Sequence, residues 1–143
     1  MNKYAIYSDG AARNNPGPAG AGVVIKHNGK TVAEVAEYLG KTTNNIAEYM
    51  AFIRGLEEAL SLGAKEVECF ADSELLVKQI NGEYRVKNEG LIPLFHHAQS
   101  LLKKFKHSKV THIRREKNTE ADLLSNKGID DHQKSSHGPL FNR

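Results

Sequence analysis

From Lys3 to Asp9 the chain alternates, with Tyr4 and Ile6 on one face and Ala5, Tyr7 and Asp9 on the other, which is the period of a β-strand. Asp9-Gly10 is expected to end it, and a stretch rich in Gly, Pro and Asn follows from Gly10 to Gly22. Val23-Val24-Ile25 and Thr31-Val32-Ala33-Glu34-Val35 then flank Asn28-Gly29, a strong hairpin signal. Three antiparallel strands therefore open the chain. Helix formers dominate from Ile46 to Leu62, with apolar or small residues around most of the circumference, so this segment reads as a helix buried against a sheet and stopped by Gly63. Val67, Cys69 and Ala71 alternate with Glu66, Glu68 and Phe70 in a fourth strand ending at Asp72. A short helix is predicted from about Ser73 to Ile80, broken by Asn81-Gly82. Leu91, Leu94, Phe95, Ala98, Leu101, Leu102 and Phe105 recur at three- and four-residue steps and predict an amphipathic helix over 91–106. Val110 to Arg114 gives a fifth strand and Asn118 to Lys127 a last helix. The remainder, residues 130–143, is polar and aperiodic, and is expected to be a disordered tail after a domain of residues 1–129.

The element order is βββαβαβα, and strands separated by helices run parallel through right-handed crossovers. The expected fold class is α/β: a mixed five-stranded sheet with helices on its faces. A chain of 143 residues suits one such domain. Its 39% hydrophobic and 26% charged residues are those of a soluble globule, and no apolar run approaches a membrane span. The first residues read directly as a strand, with neither an apolar signal core nor a small-residue cleavage site, which makes the cytoplasm the expected location. Cys69 is the only cysteine and reads as a small apolar strand residue. A net charge of +3 suits a polyanionic partner without demanding one.

Four acids sit at element ends: Asp9 closing strand one, Glu48 in the first turn of the long helix, Asp72 closing strand four and Asp122 in the last helix. Each has a plain structural explanation. Asp9-Gly10 is a common turn pair, Asp72-Ser73 can cap a helix, and Asn45/Glu48 and Thr119/Asp122 have capping-box spacing. Together they read differently, because parallel strands one and four can be neighbours whose carboxyl ends share an edge, where ligand sites form in such sheets. Clustered carboxylates repel unless a cation neutralises them. Mg²⁺ suits a few carboxylates plus phosphate oxygens, and four acids are enough for two ions that clamp the attacking and leaving oxygens of a phosphodiester displacement.

Four segments carry a resemblance to a known family. Residues Asp9 to Gly20 (DGAARNNPGPAG), Thr43 to Glu48 (TNNIAE), Asp72 to Val77 (DSELLV) and Arg115 to Asp122 (REKNTEAD) are similar, in this order, to the signatures of the type I ribonucleases H, over roughly residues 3 to 128. The resemblance implies a ribonuclease H-like fold and an endoribonuclease that hydrolyses the RNA strand of RNA–DNA hybrids, leaving 5′-phosphate and 3′-hydroxyl ends. It further implies two Mg²⁺ ions, with Mn²⁺ as a substitute. The residue matching Asp9 bridges both ions in that family, those matching Glu48 and Asp72 hold one, and that matching Asp122 helps hold the ion that activates water. A monomer with the hybrid as partner and no membrane association is expected.

Recognition of a hybrid requires short-range polar groups along a minor groove. Arg13 to Gly20 and Thr43 to Asn45 can supply them, and by resemblance Gly10, Asn15, Asn44 and Asn45 meet the nucleic acid while Thr43 holds a DNA phosphate. Two departures from many family members are visible. Asn81 to Glu89 connects the short and long helices without a basic handle, and Arg115-Glu116-Lys117 contains no histidine. Lys103, Lys104, Lys106, Lys109, Arg114, Arg115 and Lys117 are alternative phosphate contacts. Arg115 is the auxiliary candidate near the scissile phosphate, and His112 is expected to be a partly buried strand residue. Two other readings stay open: a hybrid-binding module of the same fold with little or no catalysis, and a DNA nuclease of the broader superfamily.

Overall fold

The computed structural model describes residues 3–136. Its elements run β1 (Lys3–Ala12), β2 (Gly17–His27), β3 (Lys30–Thr42), α1 (Asn44–Ser61), β4 (Glu66–Ala71), α2 (Glu74–Ile80), α3 (Ile92–Leu102), β5 (His107–His112), a 3₁₀ turn (Arg115–Lys117) and α4 (Thr119–Ser136). The five strands form one mixed sheet in the order β3-β2-β1-β4-β5. The β1, β2 and β3 pairings are antiparallel, and β4 runs parallel to both β1 and β5. This is the mixed five-stranded α/β architecture expected from the pattern, with α2 and α3 sharing the crossover from β4 to β5.

The hairpin lies where Asn28-Gly29 put it, and both residues have positive φ (54° and 77°), as a two-residue turn matching the strand twist requires. On one sheet face Ile6, Val23 and Ile25 pack against Tyr49, Phe52, Ile53 and Leu56 of α1, and Leu101 and Leu102 of α3, with Phe105 just after it, extend that core. On the other face α4 lies over β2, β3 and β1.

Several boundaries differ from the sequence reading. Strand β2 begins at Gly17, inside the Gly- and Pro-rich stretch, and β3 runs past Val35 to Thr42, because their antiparallel ladder extends to Gly17↔Thr42. Asp9-Gly10 does not end β1, because the antiparallel ladder with β2 continues to Ala12↔Ala19. Helix α3 stops at Leu102, although Phe105 stays buried beyond it. Strand β5 is set earlier, over His107–His112, where register with β4 rather than apolar alternation decides its limits; Val110 is its one buried residue. The largest difference is α4, which continues past Lys127 to Ser136, so the expected domain end at residue 129 falls inside a helix. Ile129 is fully buried, and Asp130 pairs with Arg13 at 2.9 Å. Asp130 to Ser136 are therefore helical rather than a disordered tail; the rest of that expected tail lies outside the described residues.

Candidate active site

None of the plain explanations for the four acids survives in the fold. Asp9 is inside a strand rather than a turn. The cap of α1 is Thr43, whose hydroxyl accepts from the Ile46 N–H, so Glu48 is in no capping box. Ser73, not Asp72, caps α2 by accepting from the Leu76 N–H. Helix α4 begins at Thr119 itself, one position too early for a Thr119/Asp122 box, which needs Thr119 outside the helix as its cap.

The acids face one another instead. β1 and β4 are adjacent and parallel, with Tyr7 opposite Phe70 and their rings stacked at 4.9 Å. Two residues further along, alternation brings Asp9 and Asp72 to the same face at the carboxyl edge of the sheet. Glu48 reaches them from α1 because Gly10 lets that helix approach: a Cβ on Gly10 would collide with the Ala47 carbonyl. One ligand oxygen from each of Asp9, Glu48 and Asp72 lies within 4.8 Å of the others. Asp122, from the first turn of α4, lines the same cavity as Asp9 and Glu48, outside the trio itself.

Each carboxylate of the trio has a neutral neighbour that orients it. The Gly10 N–H donates to Glu48 Oε1 at 2.9 Å, and Asn118 Nδ2 donates to Asp72 Oδ2 at 2.9 Å. Ser125 Oγ lies 3.4 Å from Asp9 Oδ2 while donating to the Asp122 carbonyl at 2.8 Å. Without positive partners in the trio itself, charge is held there at a cost. Burial, together with the charges of Glu48 and Asp72, pushes the Asp9 carboxyl up to about 9. Burial pushes Glu48 up to about 8, against the opposing pull of the Gly10 N–H and the Arg115 guanidinium. Three converging carboxylates, two of them (Asp9 and Glu48) with raised proton affinity, are a hard oxygen-donor set, which fits a divalent cation of the Mg²⁺ or Mn²⁺ type.

A cavity of about 310 Å³ opens over this cluster, lined by Asp9, Gly10, Ala11, Asn44, Glu48, Arg115 and Asp122. Arg115 is thus at the acids, whereas His112 is exposed rather than partly buried and lines a separate cavity with Ile113, Arg114, Glu116 and Lys117. The correction for His112 follows from its place as the last residue of β5, the strand at the edge of the sheet. The basic residues divide likewise. Arg114, Arg115 and Lys117 follow β5 at the carboxyl edge, while Lys103, Lys104, Lys106 and Lys109 lie before or near its start, toward the opposite edge.

The amide-rich turns meet each other before they meet anything else. Asn15 Oδ1 accepts from the Asn44 N–H at 2.9 Å, and Asn44 Oδ1 accepts from the Ala12 N–H at 2.7 Å, tying the β1–β2 loop to the start of α1. Asn45 is exposed beside them. Gly10 lines the cavity, but its N–H is engaged by Glu48. Arg13 turns away from the site: its guanidinium bonds Asn126, Asp130 and Gln133 along α4. Asn118 and Ser125 carried no role in the sequence reading: an Asn at a helix start reads as a cap, and Ser125 lies within the helical run.

The family model described as reverse transcriptase-like matches residues 7–128. The chain is 40% identical over 126 residues to ribonuclease HI of Halobacterium salinarum, covering 87% of this chain and 63% of that protein. The solved ribonuclease H1 of the same archaeon superposes with a TM-score of 0.88 at 39% identity, covering 90% of this chain and 98% of that one. The bifunctional protein Rv2228c of Mycobacterium tuberculosis is 39% identical over 130 residues, covering 90% of this chain and 36% of that protein. A compost-derived enzyme, LC11-RNase H1, solved in complex with an RNA/DNA hybrid, matches with a TM-score of 0.86 and 45% identity, over 91% of this chain and 99% of that one. The chain thus spans between about one third and two thirds of the length of these two curated relatives.

Proposed function

Because the chain belongs to the type I ribonuclease H family, we propose that it is an endonuclease hydrolysing the RNA strand of RNA–DNA hybrids, leaving 5′-phosphate and 3′-hydroxyl ends. The observation that carries this reading is the convergence of Asp9, Glu48 and Asp72 within 4.8 Å, beside a cavity that Asp9 and Glu48 line together with Asp122 and Arg115.

Asp9, Glu48 and Asp72 would hold divalent cation, with Asp122 adding an oxygen for a second ion; Mg²⁺ is the expected metal and Mn²⁺ a substitute. Bound there, such ions supply positive charge to the attacking and leaving oxygens of the phosphodiester displacement. The chain's own groups do the rest. Asp9 and Glu48 keep protons at neutral pH in the free protein, and release of those protons accompanies cation binding. Asp122, half-exposed at the cavity rim, can accept a proton from attacking water. Arg115 faces the cavity and can bind the scissile phosphate. The Thr43 hydroxyl accepts from Ile46 and keeps its own proton for a phosphate oxygen of the DNA strand.

For the hybrid as partner, the hydrogen bonds of Asn15 and Asn44 are the supporting feature. Each side-chain oxygen is engaged inside the protein, which leaves the NH₂ group as what each residue offers. Donors suit the acceptors of a minor groove, the purine N3, pyrimidine O2 and ribose 2′-oxygen. Gly10 lines the cavity, and exposed Asn45 supplies a further amide. All four acids come from one chain, in keeping with a monomer. Among the described residues no helix is long and apolar enough to cross a membrane; a cytoplasmic location is part of the same reading.

The test is an incubation of end-labelled RNA–DNA hybrid, duplex DNA, duplex RNA and single-stranded RNA with the chain, in Mg²⁺ and in chelator. Cleavage of the hybrid's RNA strand in Mg²⁺ alone is expected. Binding without cleavage would make the chain a hybrid-binding module, and equal cutting of duplex DNA would make it a DNA nuclease.

A further inference from the structure

Asn118 occupies the position just before α4, where an asparagine ordinarily turns its side-chain oxygen to the free N–H groups of the first helical turn. Here it does the reverse. Its Oδ1 is buried and is the buried side-chain polar atom without a partner among the described residues. Its Nδ2 points inward, donating to the Ser8 carbonyl at 2.9 Å and to Asp72 Oδ2 at 2.9 Å. Both neighbours are acceptors, so only the NH₂ end can face them. The residue is 2% exposed, and an unsatisfied buried oxygen costs about 1–3 kcal/mol. Stability alone does not favour this orientation.

The topology shows what the two donors do. The parallel ladder between β1 and β4 ends at Ser8↔Ala71, because β4 stops there and the chain turns into α2. One Asn118 N–H meets the Ser8 carbonyl next to Asp9, and the other fixes Asp72. The Asn118 carbonyl accepts from the Asp122 N–H at 3.1 Å, anchoring the turn that carries the fourth acid. One residue thereby joins the segments bearing Asp9, Asp72 and Asp122. Its neutrality matters as well. A lysine or arginine in its place would orient Asp72 equally but compete with a cation for its charge; an amide orients the carboxylate and leaves that charge available.

We propose that Asn118 is the positioning residue of the acidic site, holding Asp72 through Oδ2 so that its charge stays directed at a divalent cation shared with Asp9 and Glu48. This inference rests on the reading of those three acids as cation holders.

The test uses the full chain. In the ¹⁵N-labelled parent, the side-chain NH₂ resonances of Asn118 are expected to shift as Mg²⁺ alone is added, in step with the backbone signals of Asp9 and Asp72. Asn118→Leu keeps the volume, removes the stranded oxygen and removes both donors. It is expected to melt cooperatively and to bind Mn²⁺, counted as the loss of free-ion paramagnetic resonance signal, about tenfold more weakly than the parent. Half-maximal hybrid cleavage should require correspondingly more Mg²⁺. Either of two results overturns the proposal: Asn118 NH₂ signals that stay fixed while Asp9 and Asp72 respond, or a folded Asn118→Leu chain that binds Mn²⁺ as tightly as the parent, however much activity it has lost. If the variant does not fold, the NH₂ signals of the parent decide alone. A parent that binds neither cation removes the metal reading itself, and the inference with it.

Discussion

The Gly10 N–H donates to Glu48 Oε1 across 2.9 Å, and Gly10 itself sits beneath the Ala47 carbonyl with no space for a Cβ. The residue after one acid therefore sets the position of another, contributed by a different element. Gly10→Ala must push α1 off β1, at a cost of about 1–3 kcal/mol as an overpacked core contact. Urea denaturation should show that loss, and hybrid cleavage should fall further than the stability change explains, because Glu48 moves with the helix. Unchanged activity in a destabilised Gly10→Ala chain would separate Glu48 from the reaction.

Replacing Asp9 or Asp72 by Asn keeps shape and removes a carboxylate that could hold cation. Cleavage in Mg²⁺ is expected to drop to near background in both variants. Without metal, Asp9→Asn is expected to melt at a higher temperature than the parent, since Asp9 is held against burial and the charges of Glu48 and Asp72. Turnover close to the parental rate would refute the metal assignment.

Asn44 and Asn45 should separate binding from stability. Asn44→Ala loses the bond to the Ala12 N–H and should cost about 0.5–1.5 kcal/mol, besides weakening hybrid binding. Exposed Asn45→Ala should weaken binding with a stability change of no more than about 0.5 kcal/mol. Hybrid affinity and denaturant midpoints, measured for both, check the pair; parental affinity in both would remove these amides from the interface.

Arg115 lines the acid cavity and exposed His112 does not. Arg115→Ala is expected to lower kcat on the order of a hundredfold, as for loss of a group that stabilises developing phosphate charge. His112→Ala should retain most activity. Single-turnover rates on a hybrid distinguish the two, and a collapse confined to His112→Ala would mean that the auxiliary group has been misassigned.

Asp9 and Glu48 titrate at about 9 and about 8 in the folded, metal-free chain, against about 4 for carboxyls in an unfolded one. Between those limits the native state binds more protons than the unfolded state, so metal-free stability falls as pH rises through this window. Cation competes with those same protons, so Mg²⁺ should bind more tightly and stabilise more as pH rises. Thermal melts from about pH 5 to about pH 9, in chelator and in Mg²⁺, should diverge steadily. Parallel curves would contradict the raised proton affinities.

Local pattern alone carried a large part of this protein. Alternation in Lys3 to Asp9 and Glu66 to Ala71, the Asn28-Gly29 turn and the helical run before Gly63 are properties of neighbouring residues, and the fold keeps them. Once those strands are parallel neighbours, Asp9 and Asp72 must share an edge, so the acid cluster was legible too. Helix α4 shows where such reading stops. Ala121, Ser125, Gly128 and Ile129 have helical spacing, but small and polar residues give it little hydrophobic contrast; their burial is decided by the β2 and β3 surface they lie on. The limits of β5 are likewise fixed by register with β4 rather than by its own residues. The roles of Gly10, Arg13, Ser125 and Asn118 could not be read locally, because each acts on a group far away in sequence. A carboxamide before a helix has the same one-dimensional signature whether it caps that helix or turns inward to hold an aspartate. Only the end of the β1–β4 ladder, which exposes the Ser8 carbonyl beside Asp72, decides which of the two Asn118 does.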